Sequence, residues 1–203
     1  LIGQTSFAQG PFYEWHKTAG GEGSEYGNSV TVDELGYVYI TGEFLGEFDA
    51  DSGDGITNIT SNGFRDVYIK KMDAEGNLLW VYSFGGSLDD YANSVIIHAN
   101  GGVYVFGTFD GAVDFNPYGT EEIVTSVGFN DIFLLKLDGN GDFEWVKTFG
   151  GNSTDRGEDL FLGSDDHLYS TGWFQNTADF DPGEGVSNLT AVAWMDCFIQ
   201  KLD

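Results

Sequence analysis

Three oxygen-rich pairs recur with one spacer residue: Asp49-x-Asp51, Asp114-x-Asn116 and Asp179-x-Asp181. Hard oxygen donors held in turns are what Ca2+ takes as ligands. Asp49, Asp51, Asp114, Asn116, Asp179 and Asp181 are therefore candidate metal ligands, with Ca2+ the candidate cofactor. None of the three extends to D-x-[DN]-x-[DN]-G with a distal Glu. The competing reading is a solvated turn whose carboxylates accept backbone N–H bonds. Trp173 stands where equivalent positions carry Glu43 and Thr108, so its ring is a candidate ligand-binding group for a glycan or a protein. Phe64, Phe129 and Trp194 border the same loops in one register; they fit either core packing or exposed rings that bind a glycan or protein beside the carboxylates.

Other chemistry is thinly represented. His16, His98 and His167 fall at three unrelated repeat positions, so they make no repeated zinc cluster. No GxSxG or P-loop occurs. Carboxylate pairs can cleave glycosidic bonds, which keeps a propeller-type carbohydrate-active enzyme, hydrolase or lyase, as the alternative class. No catalytic or cofactor-binding residue is assigned. The 33 acids against 8 bases give a formal charge of −25, which repels phosphate backbones and anionic lipid. Nucleic acid is a poor partner, and no apolar run approaches the ~18 residues of a membrane span. High solubility, a saline habitat and cation binding all fit this charge. The lone cysteine, Cys197, excludes an intrachain disulfide. Its repeat mates are Val67 and Ile132, so it is expected to be a small buried hydrophobe.

The elements that position these residues repeat. Trp15, Trp80 and Trp145 stand 65 residues apart, opening "WHKTAGG", "WVYSFGG" and "WVKTFGG". "GYVYITGEF", "GGVYVFGTF" and "DHLYSTGWF" fall in register, as do "DVYIKKMD", "DIFLLKLD" and "DCFIQKLD". A fixed period of this length marks a stacked structural unit. Residues 15–203 form one repeat domain with copies at 15–79, 80–144 and 145–203. Residues 1–14 are a leader. Within it, Ser6-Phe7-Ala8 before Gln9 fits a small-x-small signal-peptidase site, or an ordinary leader.

Short runs of alternating aromatic and branched residues, punctuated by Gly turns, read as four antiparallel strands per copy. In the middle copy these are "SVIIH", "VYVFGTF", "DIFLLKL" and "FEWVKTF", with a long loop from Asp110 to Asn130. Four hairpin-linked strands repeated radially describe a propeller blade. Trp80 and Trp145 on the fourth strand are placed to fill the gap between blades. Gly42, Gly107 and Gly172 predict a bulge or close approach. Asp66, Asp131 and Asp196 should accept turn amides. Lys71, Lys136 and Lys201 are spaced to pair with Asp73, Asp138 and Asp203. Loops after the second and fourth strands share one face, so Asp49, Asp51, Asp54, Asp114, Asp179, Asp181 and Glu184 collect on one rim. Glu22, Glu25, Asp89, Asp90 and Asp155 are expected to join them.

W-x4-GG, the Gly-x-Val-Tyr-x-x-Gly strand, the Asp-Phe-Asn/Asp-Pro loop and Asp-x-Phe…Lys-Leu-Asp before Gly-x-x-x-Trp resemble the SBBP family, the bacterial "seven-bladed beta-propeller" repeat. The resemblance spans Trp15 to Asp203. It implies an all-β array of four-stranded antiparallel blades in a bacterial protein that is secreted or displayed on the cell surface. It implies no particular reaction. The third copy departs from the others, with Glu158-Asp159 in place of Asn-Ser. Three blades fall short of the about four to eight of a closed ring. The expectation is a partial propeller, or a segment of a larger one, whose partners are further blades, self-association, or a glycan or protein ligand. Its role is binding or structural display.

Overall fold

A computed structural model describes residues 13–203; the Ser6-Phe7-Ala8 site lies outside them. The β-rich runs form a first sheet of β1 (Gly20–Gly21), β2 (Glu25–Val32), β3 (Val38–Asp49), β4 (Asn58–Met72) and β5 (Leu78–Phe84). The second blade is β6 (Tyr91–Ile97), β7 (Val103–Asp114), β8 (Ile123–Leu137) and β9 (Phe143–Gly151). The third has β10 (Asp155–Leu162), β11 (Leu168–Phe174) and β14 (Asp196–Leu202), with the short hairpin β12 (Thr177–Asp179) and β13 (Asn188–Thr190) joining the end of β9. Strands β2–β5 and β6–β9 are antiparallel meanders, while β10–β11–β14 stops at three. The fold is all-β and forms a partial β-propeller.

The tight turns follow one recipe. In Asp33–Gly36, Asp73–Gly76, His98–Gly101 and Asp138–Gly141 the fourth residue donates its amide to the first carbonyl, then turns with φ of 80–90°. Left-handed φ favours glycine. In the third copy Asp166 takes that place at φ 64°. The long hairpins carry a second such position, Gly46, Gly111 and Asn176, at φ 80°, 70° and 57°. The expected loop from Asp110 to Asn130 is instead mostly ladder. β7 and β8 continue past a bulge between Asp110 and Ala112, leaving only a short tip. Gly111 re-aims the strand without ending it.

Blades are held face to face by aromatic packing. Phe84 from the first blade meets Phe115 and Phe133 from the second at ring separations of 5.0 and 5.4 Å. All three are buried, within a core that also takes in Val67, Ile69, Val105 and Leu135. Each fully buried side chain of this kind contributes roughly 1.5–3 kcal/mol. A second core joins Phe106, Ile132, Leu134 and Phe149 to Phe174, Phe180 and Phe198 of the third blade. Trp80 packs edge-on to Tyr39 and donates its Nε1–H to Gly139 O, so one ring ties its own blade to the turn of the next.

Near the innermost strands β2, β6 and β10, polar staples add to this. Asn28 Nδ2 donates to Ala92 O at 2.9 Å, and Asn93 Nδ2 donates to Gly157 O at 2.6 Å. Both asparagines sit at the bulge of the inner strand. Opposite each bulge, Gly42, Gly107 and Gly172 face the carbonyls of Tyr26, Tyr91 and Arg156 so closely that a Cβ would overlap them. Gly107→Ala should therefore lower stability by about 1–3 kcal/mol. Gly111→Asn, which copies Asn176, should cost less than about 1 kcal/mol. Denaturant unfolding of the two variants checks this; equal losses would contradict it.

Candidate functional site

The W-x4-GG motif is where the chain crosses from one blade to the next. A Cβ on Gly85 or Gly150 would collide with the carboxylate of Asp66 or Asp131. A Cβ on Gly21, Gly86 or Gly151 would collide with a carbonyl of the next long hairpin, from Glu47, Ala112 or Thr177. The first glycine accommodates an acid and the second a backbone. Asp66, Asp131 and Asp196 each accept one loop amide, from Asn62, Val127 and Val192, at 2.8–2.9 Å. Asp90 accepts Gly86 N and Asp110 N at 2.7 and 3.0 Å; Asp155 accepts Gly151 N and Gln175 N at 2.7 and 3.1 Å.

This corrects the expected rim. Asp90 and Asp155 are fully buried pins of the crossover. The sequence signal was an acid at a fixed distance after the double glycine: Glu25, Asp90 and Asp155. Burial pushes the Asp66 and Asp131 carboxyls up to about 6 and Asp90 up to about 7.

Asp49, Asp114 and Asp179 begin the hairpin tips. Asp49 Oδ1 accepts Asp51 N and Thr57 N at 3.0 and 2.9 Å. Asp114 Oδ1 accepts Asn116 N and Glu122 N, both at 2.9 Å. Asp179 Oδ1 accepts Asp181 N and Ser187 N at 3.0 and 2.7 Å, which holds its carboxyl below the usual range. Asp51 and Asp181 accept Gly53 N and Gly183 N at 2.8 Å, and Asn116 Nδ2 donates to Thr120 O. Each tip is thus closed on itself by Asx bonds. Among the described residues no group of three or more His, Cys, Asp or Glu is placed to hold a metal. The structure brings each candidate pair together within its own tip.

Trp173 lies half-buried on the outer face of the third blade and donates its Nε1–H to Glu158 Oε1 at 3.2 Å. Its mates Glu43 and Thr108 are buried between blades. Cys197 is exposed, against expectation, while Val67 and Ile132 are covered by a following blade. The lysines also differ from expectation. Lys71 Nζ donates to Gly139 O, Lys136 pairs with Glu144 at 2.8 Å, and Lys201 pairs with Asp165 at 2.8 Å. Lys71 thus reaches the turn of the next blade, Lys136 the neighbouring strand β9 and Lys201 the turn between β10 and β11, away from Asp73, Asp138 and Asp203.

One aromatic column takes the exposed of its two readings. Phe64, Phe129 and Trp194 are 59%, 69% and 76% exposed. The preceding Gly63 and Gly128 lie directly on the backbone of Ser87 and of Gly151–Ser153, which lifts the next side chain outward. Arg65 O then accepts Asp90 N at 2.8 Å, Arg65 N donates to Asp89 Oδ1 at 3.2 Å, and Phe129 N donates to Ser153 O. The first two blades thus present Phe64 and Phe129 over a crossover, beside the acids of that loop, and Trp194 holds the equivalent exposed position in the third. This array is the candidate site.

Residues 14–43 match a family model described as SBBP, beta-propeller repeat. That stretch covers the first crossover, β2 and the start of β3. The chain is also similar to an uncharacterized WD repeat-containing protein, L264, of Acanthamoeba polyphaga mimivirus. It is 21% identical to it over 201 residues, covering 87% of this chain and 14% of that protein. Regulatory protein FlaEY of Caulobacter vibrioides is 29% identical over 122 residues, covering 59% of this chain and 13% of FlaEY. The chain therefore spans about a seventh of these relatives' length. Among the described residues no helix is long and apolar enough to cross a membrane.

The buried acids set a pH dependence. A carboxyl whose native value lies above its unfolded value, near 4, binds its proton more tightly when folded. Its buried charge therefore costs stability above pH 7. That cost is relieved as pH falls through about 7 and 6. The melting temperature should rise from pH 8 to pH 5, each kcal/mol being worth roughly 2–4 °C in a chain of this size. Asp66→Asn keeps an acceptor for Asn62 N and removes one charge, so it should flatten the rise. A melting temperature that falls over this range, or an unchanged slope in the variant, would contradict the assignment.

Proposed function

We propose that the chain is a non-catalytic β-propeller module that binds a positively charged polypeptide through its acidic rim. The observation that carries the reading is the exposed aromatic column, one ring per blade at Phe64, Phe129 and Trp194. Solvent-facing rings at three equivalent positions give packing nothing, yet they suit cation–π and apolar contact with Lys or Arg side chains. A charge of −25 draws a cationic partner and repels anionic ones. The crossovers beneath Phe64 and Phe129 hold these two rings on a rigid scaffold, as a binding surface requires. The beta-propeller repeat match and the WD-repeat relative support a repeat module of this kind. The reading extends to a secreted or surface-displayed bacterial protein, a location that the Ser6-Phe7-Ala8 pattern supports.

A peptide array probed at low and high salt tests it. Lys- and Arg-rich peptides should be selected, and binding should weaken as salt rises. The triple variant F64A/F129A/W194A should lose at least about tenfold in affinity, the scale of ring truncation at a hot spot, with unchanged melting. Selection of neutral glycans on a parallel array, or wild-type binding by the triple variant, would overturn it. A melting rise in millimolar Ca2+ that Asp49→Ala abolishes would favour the calcium reading; saturation at 100-fold over Kd adds roughly 2.7 kcal/mol.

A further inference from the structure

A cleft of about 400 Å3 opens in the seam between the first two blades. Trp80 and Tyr82 of β5 form one wall. Asn116 and Tyr118, at the tip between β7 and β8, form a second, and Asn140 and Asp142 of the following turn close the third. Tyr82 is buried and donates its hydroxyl to Phe115 O at 2.7 Å. Tyr118 is exposed and meets Tyr82 edge-on, with ring centres 5.1 Å apart; its hydroxyl bonds Ser83 Oγ at 2.8 Å. The volume falls within the range of small-ligand sites, about 300–1,000 Å3.

The repeat shows what sets this cleft apart. Tyr82 stands where the neighbouring copies carry Lys17 and Lys147, and Tyr118 where they carry Gly53 and Gly183. Asp142 stands where the first copy carries Asn77. One change removes a cation, one adds a ring and one adds a carboxylate, and all three line the same space. Asn116 and Asn140 replace Asp51 and Glu75, so Asp142 is the one carboxylate among the described lining residues. One repeat earlier, the Lys17 stem runs over Gly76 beside Trp15. At the equivalent Gly141 the nearest atoms all belong to Trp80. Lys71 is held elsewhere, by Gly139 O at 3.1 Å and over the rings of Tyr37 and Tyr39. Among the described residues no lysine or arginine lines the cleft.

We propose that this cleft takes a primary alkylammonium group, the chemistry of a lysine side chain, in the place that the repeat elsewhere fills with its own lysine. The alkyl stem lies along Trp80 and Gly141, and the ammonium faces Asp142. Asn116 Nδ2 donates to Thr120 O and Asn140 Nδ2 to Asp138 Oδ2. Both side-chain oxygens are thereby left to accept ammonium N–H bonds. The rings of Trp80 and Tyr118 add cation–π attraction. The charge of −25 favours a cation over an anion in any such space. This inference does not rest on the rim reading, because Phe64, Phe129 and Trp194 do not line the cleft.

The indole N–H resonance of Trp80 reports on the cleft. Titration with n-butylammonium should shift it saturably and leave the indoles of Trp145 and Trp173 in place. The uncharged n-butanol should bind at least about threefold more weakly, the scale of a partly exposed cation–π contact. Nα-acetyl-lysine methylamide should match n-butylammonium if the group comes on a polypeptide, and bind less well if the cleft receives a free amine. Asp142→Asn and Tyr118→Gly each restore a residue of another copy at an exposed position. Each should weaken n-butylammonium binding by about threefold to tenfold with unchanged melting. Equal binding of n-butanol, full affinity in both variants, absence of a saturable shift, or a shift produced by a neutral methyl hexoside instead would overturn the proposal. A shift at Trp194 without one at Trp80 would overturn it and leave the rim reading standing.

Discussion

The structure depends on one constraint: each blade must hide an apolar face on both sides. A four-stranded sheet with aromatic residues on each surface cannot stand alone in water. Phe106 and Leu134 point toward one neighbour while Phe109 and Phe133 point toward the other. The middle blade satisfies this fully, and its core is the most completely buried. The outer blades satisfy it on one side. On the third blade Cys197 and Ile199 are accordingly exposed and Trp173 half-buried.

The crossover serves that constraint. The chain leaves one blade along its fourth strand and must enter the next within a few residues, under the long hairpin. Two glycines make room, one for a carboxylate and one for a carbonyl. Two acids then accept the amides that the turn exposes. An unpaired amide in that corner would cost about 1–3 kcal/mol. Burying the acids has its own cost, which appears as raised carboxyl values. The sequence period begins at this corner because the repeat is written from crossover to crossover, one strand out of step with the sheet.

Much of this was readable from residue types. Alternation in "VYVFGTF" and "DIFLLKL" marked strands, and the 65-residue stride marked blades. Gly42, Gly107 and Gly172 announced a close approach that the sheet shows as a carbonyl against each glycine. Other features were hidden for physical reasons. Hairpin extensions past Gly111 look like loops because the bulge there breaks the alternation, and beyond it Ile123, Val127 and Phe129 face solvent where a pattern expects polar residues. The exposure of Phe64 and Phe129 follows from tertiary contact at the preceding glycine, which no local pattern carries. Asp90 and Asp49 are both turn acids in sequence; only the crossover buries one and leaves the other at a tip.

Native-state hydrogen exchange across the repeat boundary tests the central claim, that each fourth strand belongs to the blade before it. Amides of Leu78–Phe84 should be as protected as those of Val67–Met72 and open together with them, and Phe143–Phe149 should open with Ile132–Leu137. Fast exchange of Leu78–Phe84 or Phe143–Phe149, or opening coupled to the following blade instead, would contradict it.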